Sequence, residues 1–104
     1  MIDSPRYQEF EGRGSPEDVT VYGLFTCVPC KEAKEYMQEM GLAFRYVILE
    51  HQKPELRRQL KKTFQDSLGG RPVYPVLEVN GEFTFGFKKE AWRTVLAQID
   101  EAER

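Results

Sequence analysis

The chain has little of what several protein classes require. It has two cysteines in 104 residues, too few for the disulfide framework that holds a small secreted domain together. It has one histidine, His51. A closed structural zinc site needs four donors, so two thiolates and one imidazole fall short within a single chain. No apolar run approaches the roughly 18 to 20 residues of a membrane-spanning helix. Neither sign of charge dominates. The 15 basic and 17 acidic side chains leave a net charge of -2, which implies neither nucleic acid nor an anionic membrane as a partner. Residues 1 to 18 lack the apolar stretch of a signal peptide. The expectation is a soluble, monomeric, single-domain protein of the reducing cytoplasm.

What is present is concentrated in Thr26-Cys27-Val28-Pro29-Cys30-Lys31. Both cysteines lie here, directly after the apolar run Val19 to Phe25 and directly before a helical pattern. A strand that ends in Cys-x-x-Cys and turns at once into a helix sets the first sulfur at the helix N-terminus. There, unpaired backbone N–H groups and the macrodipole favour a negative charge. A free cysteine has a pKa of about 8.5, and this placement lowers it by one to several units, so the thiolate is populated at neutral pH. Cys30, one turn on, is placed to close a disulfide with Cys27. As a structural staple the pair would close a very short loop and contribute little. A metal or cluster shared between two chains stays open. The redox reading is preferred, with Lys31 as first-turn solvent contact.

Residues 1 to 17 mix Pro5, Gly12, Gly14 and Pro16 with polar side chains and offer only Ile2, Tyr7 and Phe10 for burial. They read as a mobile N-terminal tail, since no periodic pattern supports the alternative of a short arm packing Tyr7 and Phe10 on the domain or a partner, and residues 18 to 104 read as the domain. Val19 to Phe25 suits a buried central strand. Ala33, Tyr36, Met37 and Met40 recur at helical steps up to Gly41, with charged residues on the other face. Ala43 to Leu49 reads as a second strand, parallel to the first because a helix joins them. A second helix runs from Pro54 to about Gln65, its Arg57, Arg58, Lys61 and Lys62 forming a solvated face. His51, in the loop before it, reads as a surface residue. A third strand, Val73 to Val79, meets a fourth, Glu82 to Phe85, through Asn80-Gly81, the pair favoured in a two-residue type I′ turn. Ala91, Trp92, Val95, Leu96 and Ile99 mark a last helix. Pro75 at the start of the third strand has no N–H to donate to a ladder. A cis Tyr74-Pro75 bond and a tolerated trans proline both fit.

This β-α-β-α-β-β-α order, with Cys-x-x-Cys between the first strand and helix and proline opening the third strand, resembles the thioredoxin fold. Within that fold, an α/β four-stranded mixed sheet flanked by helices, Val19 to Ile99 resembles a glutaredoxin. The resemblance implies a thiol-disulfide oxidoreductase without a bound cofactor, with Cys27 as nucleophile and Cys30 as resolving cysteine. It implies a cis Pro75 beside the site, and substrate contacts from Phe25, Thr26, Val28, Pro29, Val73, Tyr74, Pro75, Gly86, Phe87 and Lys88. Disulfide-bearing proteins are the implied substrates, with glutathione as co-substrate or a thioredoxin-reductase-type enzyme as reductant. Two positions depart from the family. Leu24 stands where a lysine commonly holds a glutathione carboxylate, and Lys88-Lys89 where an aspartate commonly helps hold the γ-glutamyl end. Val28 and Gly86-Phe87-Lys88 are similar to the NrdH-redoxins, which thioredoxin reductase recycles. Poor saturation by glutathione is therefore expected, with a protein reductant docking on Phe25, Val28, Tyr74 and Phe87. The alternative implied by the resemblance is a dimeric iron-sulfur cluster module using Cys27.

Overall fold

The computed structural model describes residues 5–102. Its sheet has five strands: β1 (Gln8–Phe10), β2 (Val19–Gly23), β3 (Phe44–Ile48), β4 (Val76–Val79) and β5 (Glu82–Phe85). The helices are α1 (Val28–Glu39), α2 (Pro54–Leu68) and α3 (Lys89–Ala102). The strands lie in the order β1-β3-β2-β4-β5. β2 runs parallel to β3 and antiparallel to β4, and the β4-β5 hairpin is antiparallel. From β2 onward this is the expected thioredoxin-fold order, with a central β2 buried on both faces. Val19 and Val21 point to one side and Tyr22 to the other, as the two-residue period of a strand requires.

Each face of the sheet is closed by helices. On one, Ala33 and Met37 of α1 and Trp92, Leu96 and Ile99 of α3 pack on Val21, Phe44, Tyr46, Leu77 and Val79. On the other, Phe64 of α2 packs on Tyr22, Val47 and Val76. The ring of Phe64 meets Phe83 edge-on at 5.3 Å between centroids. The Asn80-Gly81 turn has φ of 52° and 84°, the positive pair of a type I′ turn.

Three expectations are corrected. α2 continues to Leu68, beyond the expected end at Gln65, because Gly69 adopts the left-handed conformation that terminates it. The amides of Gly69 and Gly70 both reach back to the Gln65 carbonyl, at 2.8 and 3.3 Å. The third strand begins at Val76 and not at Val73, the Tyr74-Pro75 bond before it being cis.

The third correction concerns residues 1 to 17. In place of a mobile tail outside the domain, this segment carries β1, a fifth strand antiparallel to β3; residues 1–4, Ile2 among them, lie outside the described residues. Tertiary contacts supply what its composition does not. Phe10 stacks on Phe44 at 4.6 Å, and the Arg45 guanidinium lies 4.5 Å from the Tyr7 ring centroid. The buried Gln52 side chain accepts from the Arg6 N–H at 2.7 Å and donates to its carbonyl at 2.9 Å. Arg13 bonds to the Gly41 carbonyl and the Ala43 amide at 2.7 and 2.9 Å. Only glycine fits at position 12, since a Cβ there would lie 2.4 Å from the Gly41 carbonyl oxygen.

Candidate active site

β2 ends at Gly23, and a loop of Leu24, Phe25 and Thr26 carries the chain to Cys27, the N-cap of α1. Its sulfur accepts a hydrogen bond from the Cys30 amide at 3.2 Å. The Cys27 carbonyl accepts the Lys31 amide at 3.2 Å, the first turn of the helix. Cys27 is half-buried and Cys30 wholly buried. The two are joined as a disulfide, their Cα atoms 5.2 Å apart. One sulfur thus faces outward at a helix N-terminus, and the other lies beneath it.

Glu50 holds the loop from the side. Both of its carboxylate oxygens accept from the Phe25 N–H, at 3.0 and 3.1 Å. Sequence reasoning gave this glutamate no role. A signal was available: β2 and β3 are parallel, so the residues just after each lie at the same end of the sheet. His51 sits beside it, its ring 5.8 Å from that of Phe25.

Of the expected substrate-contact residues, Phe25, Thr26, Val28 and Pro29 surround Cys27 in the loop and first turn, all exposed. Val73 is exposed, Tyr74 half-buried and Pro75 buried. Val76 pairs with Tyr22 across antiparallel strands, so the chain before Val76 passes the Leu24 end of β2. Leu24 and Tyr74 accordingly line one groove. Gly86 joins this segment: its amide donates to the Pro75 carbonyl at 2.8 Å. Its own carbonyl accepts from the Trp92 indole at 2.9 Å. The Phe87 ring lies between Tyr36 and Trp92, at 5.6 and 5.0 Å, above a separate hollow along α1. Lys88 is exposed and does not line the Leu24 groove.

That groove, about 410 Å³, is lined by Leu24, Lys61, Gln65, Arg71, Pro72 and Tyr74. Sequence reasoning left Lys61 on a solvated helix face and Arg71 in a turn; the fold brings both cations beside Leu24. The Tyr74 hydroxyl is buried without a hydrogen-bond partner among the described residues. Burial first, and the Glu50 charge second, raise its ionisation above the ordinary tyrosine value, so it remains a donor. Among the described residues no three His, Cys, Asp or Glu side chains converge to hold a metal ion, and no helix is long and apolar enough to cross a membrane.

Comparison with solved structures places this architecture. A glutaredoxin from Methanosarcina mazei Go1 superimposes with a TM-score of 0.76 at 26% identity, covering 88% of this chain and 87% of that one. The methanoredoxin of Methanosarcina acetivorans gives 0.65 at 28% identity, over 83% and 87% of the two chains. A glutaredoxin from Archaeoglobus fulgidus, 24% identical with a TM-score of 0.67 over 76% and 85%, shares the fold. Curated proteins return no match. The sequence profile of the glutaredoxin family matches residues 19–84. That span exceeds half the chain and contains the central strand, the Cys27 loop, the helix it caps and the cis-proline segment; the chain belongs to the glutaredoxin family.

Proposed function

We propose that the protein reduces disulfides with Cys27 as the attacking thiolate and Cys30 as the resolving thiol. The observation that carries this reading is the Cys27 sulfur at the N-cap of α1, accepting the Cys30 amide. Hydrogen bonding to the charged form, added to the helix dipole, lowers a thiol pKa. Cys30 is too buried to meet an external disulfide first. Cys27 attacks one sulfur of the substrate, whose other half leaves as a thiolate and takes a proton from solvent. Cys30 then attacks Cys27, and its proton ends on the released second thiol. Two thiols are oxidised to the Cys27-Cys30 disulfide while one substrate disulfide is reduced.

The surroundings support an extended or peptide-like substrate. Phe25 and Val28 expose apolar surface beside Cys27, and Val73 is exposed as well; it lies before β4, outside that ladder, where a substrate strand would pair with backbone. For the reductant, Lys61 and Arg71 supply the positive charge that Leu24 lacks. A carboxylate-bearing thiol such as glutathione fits that groove, while Lys88 and Lys89 leave its ammonium end unheld. We place the protein as a monomer in a reducing compartment, where a reductase regenerates the dithiol.

The test is turnover of a model disulfide, driven separately by glutathione with its reductase and by thioredoxin reductase. Cys27→Ser should abolish turnover in both, and Cys30→Ser should accumulate a mixed disulfide on Cys27. Faster alkylation of Cys30 than of Cys27 in the reduced protein at pH 6 would reverse the assigned roles. Visible absorbance after purification without oxygen would instead favour cluster binding.

A further inference from the structure

The cycle proposed above requires the buried Cys30 to become a thiolate, and a charge out of water needs a hydrogen-bond donor. We propose that Tyr46 is the positioning residue for the resolving sulfur, its hydroxyl donating a hydrogen bond to the Cys30 thiolate from beneath the active-site helix. The inference rests on the dithiol reading and adds a residue to it.

The geometry comes from Gly23, the last residue of β2. A Cβ at that position would lie 2.8 Å from the Tyr46 hydroxyl oxygen, 3.1 Å from Cys30 Cβ and 3.3 Å from Cys30 Sγ. Hydroxyl and sulfur thus flank one point, and the absent side chain of Gly23 is what leaves the space between them open. The fold has reason to keep it open. Tyr46 stands on β3, opposite Val21 of β2 and Gln8 of β1, with its ring packed in the core shared with Ala33 and Met37 of α1. It is only 5% exposed. Reduction frees the sulfur and gives it a charge the hydroxyl can meet.

The phenol keeps its proton. Burial foremost, and the Glu50 carboxylate next, raise its ionisation above the ordinary tyrosine value. The charged groups around it are Lys34 of α1, whose ammonium lies 5.4 Å from the ring centroid, and Glu50 after β3; β1 presents the neutral Gln8, and Cys27 lies across the dithiol. In the resolving step the mixed disulfide at Cys27 and the Cys30 thiol give the Cys27-Cys30 disulfide and one free substrate thiol. Tyr46 neither gains nor loses a proton; it lowers the cost of the thiolate through which the step passes.

A symmetrical nitrobenzoate disulfide separates the two events, because each released aromatic thiolate is coloured. Attack by Cys27 releases the first equivalent and resolution by Cys30 the second. Tyr46→Phe keeps the ring and removes the hydroxyl. We expect an unchanged first phase and a second phase slower by about tenfold at neutral pH, its pH midpoint raised by about one unit, as loss of one hydrogen bond to a charged group implies. A second phase with wild-type rate and midpoint overturns the proposal, as does equal slowing of both phases, which marks a general packing defect. Absence of even a first phase in the wild type overturns the reductase reading itself. A measurement on the reduced wild-type protein stands apart from turnover: the Tyr46 ring-carbon resonance beside the hydroxyl should shift as Cys30 ionises. A resonance flat through that titration overturns the hydrogen bond.

Discussion

Replacing Gly12 with alanine should detach the N-terminal arm from the domain. A Cβ at position 12 would meet Gly41 O at 2.4 Å, Leu42 C at 2.5 Å and Ala43 N at 2.7 Å. All three are backbone atoms that cannot rotate away, so the arm must move. That movement breaks the Arg13 amide bond to Gly41 and the Ala43 amide bond to Arg13, and with them the stacking of Phe10 on Phe44. Two backbone hydrogen bonds and one aromatic pair together represent about 1.5 to 4.5 kcal/mol. The assay is urea unfolding of Gly12→Ala beside Gly70→Ala, a control with no atom within 4 Å of the added carbon. The first variant should lose a stability in that range and the second should match the wild type closely. Amide hydrogen exchange locates the damage, with Ala43 losing protection ahead of the core amides of β2. A Gly12→Ala protein within about 0.5 kcal/mol of wild type and with Ala43 fully protected would refute the close approach, since such a loss is no more than a neutral surface change gives.

Two further outcomes follow from the site. Lys61→Glu with Arg71→Glu should raise the half-saturating glutathione concentration about tenfold, a solvent-screened estimate for two exposed contacts, and Leu24→Lys should lower it; steady-state kinetics that do not respond to either change would remove the groove from the reductant reading. Trp92→Phe should cost about 2 to 4 kcal/mol by urea unfolding, because it leaves a void in a fully buried position and strips the Gly86 carbonyl of its donor. It should also raise KM for a peptide disulfide while leaving the rate of Cys27 alkylation unchanged, and equal changes in both would mean that the hairpin end does not reach the substrate.

Legibility followed the physics of each element. The helix after Cys27 was readable because Ala33 and Met37 recur at helical spacing, and the hairpin because Asn80-Gly81 supplies the two positive φ values its turn needs. These are local signals. The cis Tyr74-Pro75 bond was open from the residues alone and entered through the resemblance. β1 was not readable: three residues, Gln8 to Phe10, make no period, and what holds them is a partner far along the chain. Lys61 and Arg71 were missed for the same reason, whereas Glu50 was within reach of the expected parallel pairing but carries no local mark of a role. Each is an ordinary surface side chain in sequence, and only the parallel pairing of β2 with β3 and the placement of α2 bring them to Leu24 and Phe25.

The short arm also decides what the sheet shows to other molecules. Without β1, the outer side of β3 would present the unpaired N–H and C=O groups of Phe44–Ile48, a segment whose only charge is Arg45. A flat apolar template of that kind recruits further strands and leads to self-association. β1 pairs with Phe44, Arg45 and Tyr46 through a strand of three residues, Gln8, Glu9 and Phe10, followed at once by Glu11. What remains at that border is a short strand carrying Glu9 and followed by Glu11, a poor template for a further strand. The glycine that lets the arm lie down at residue 12 therefore governs how much strand edge the sheet leaves open as well as how the arm is held.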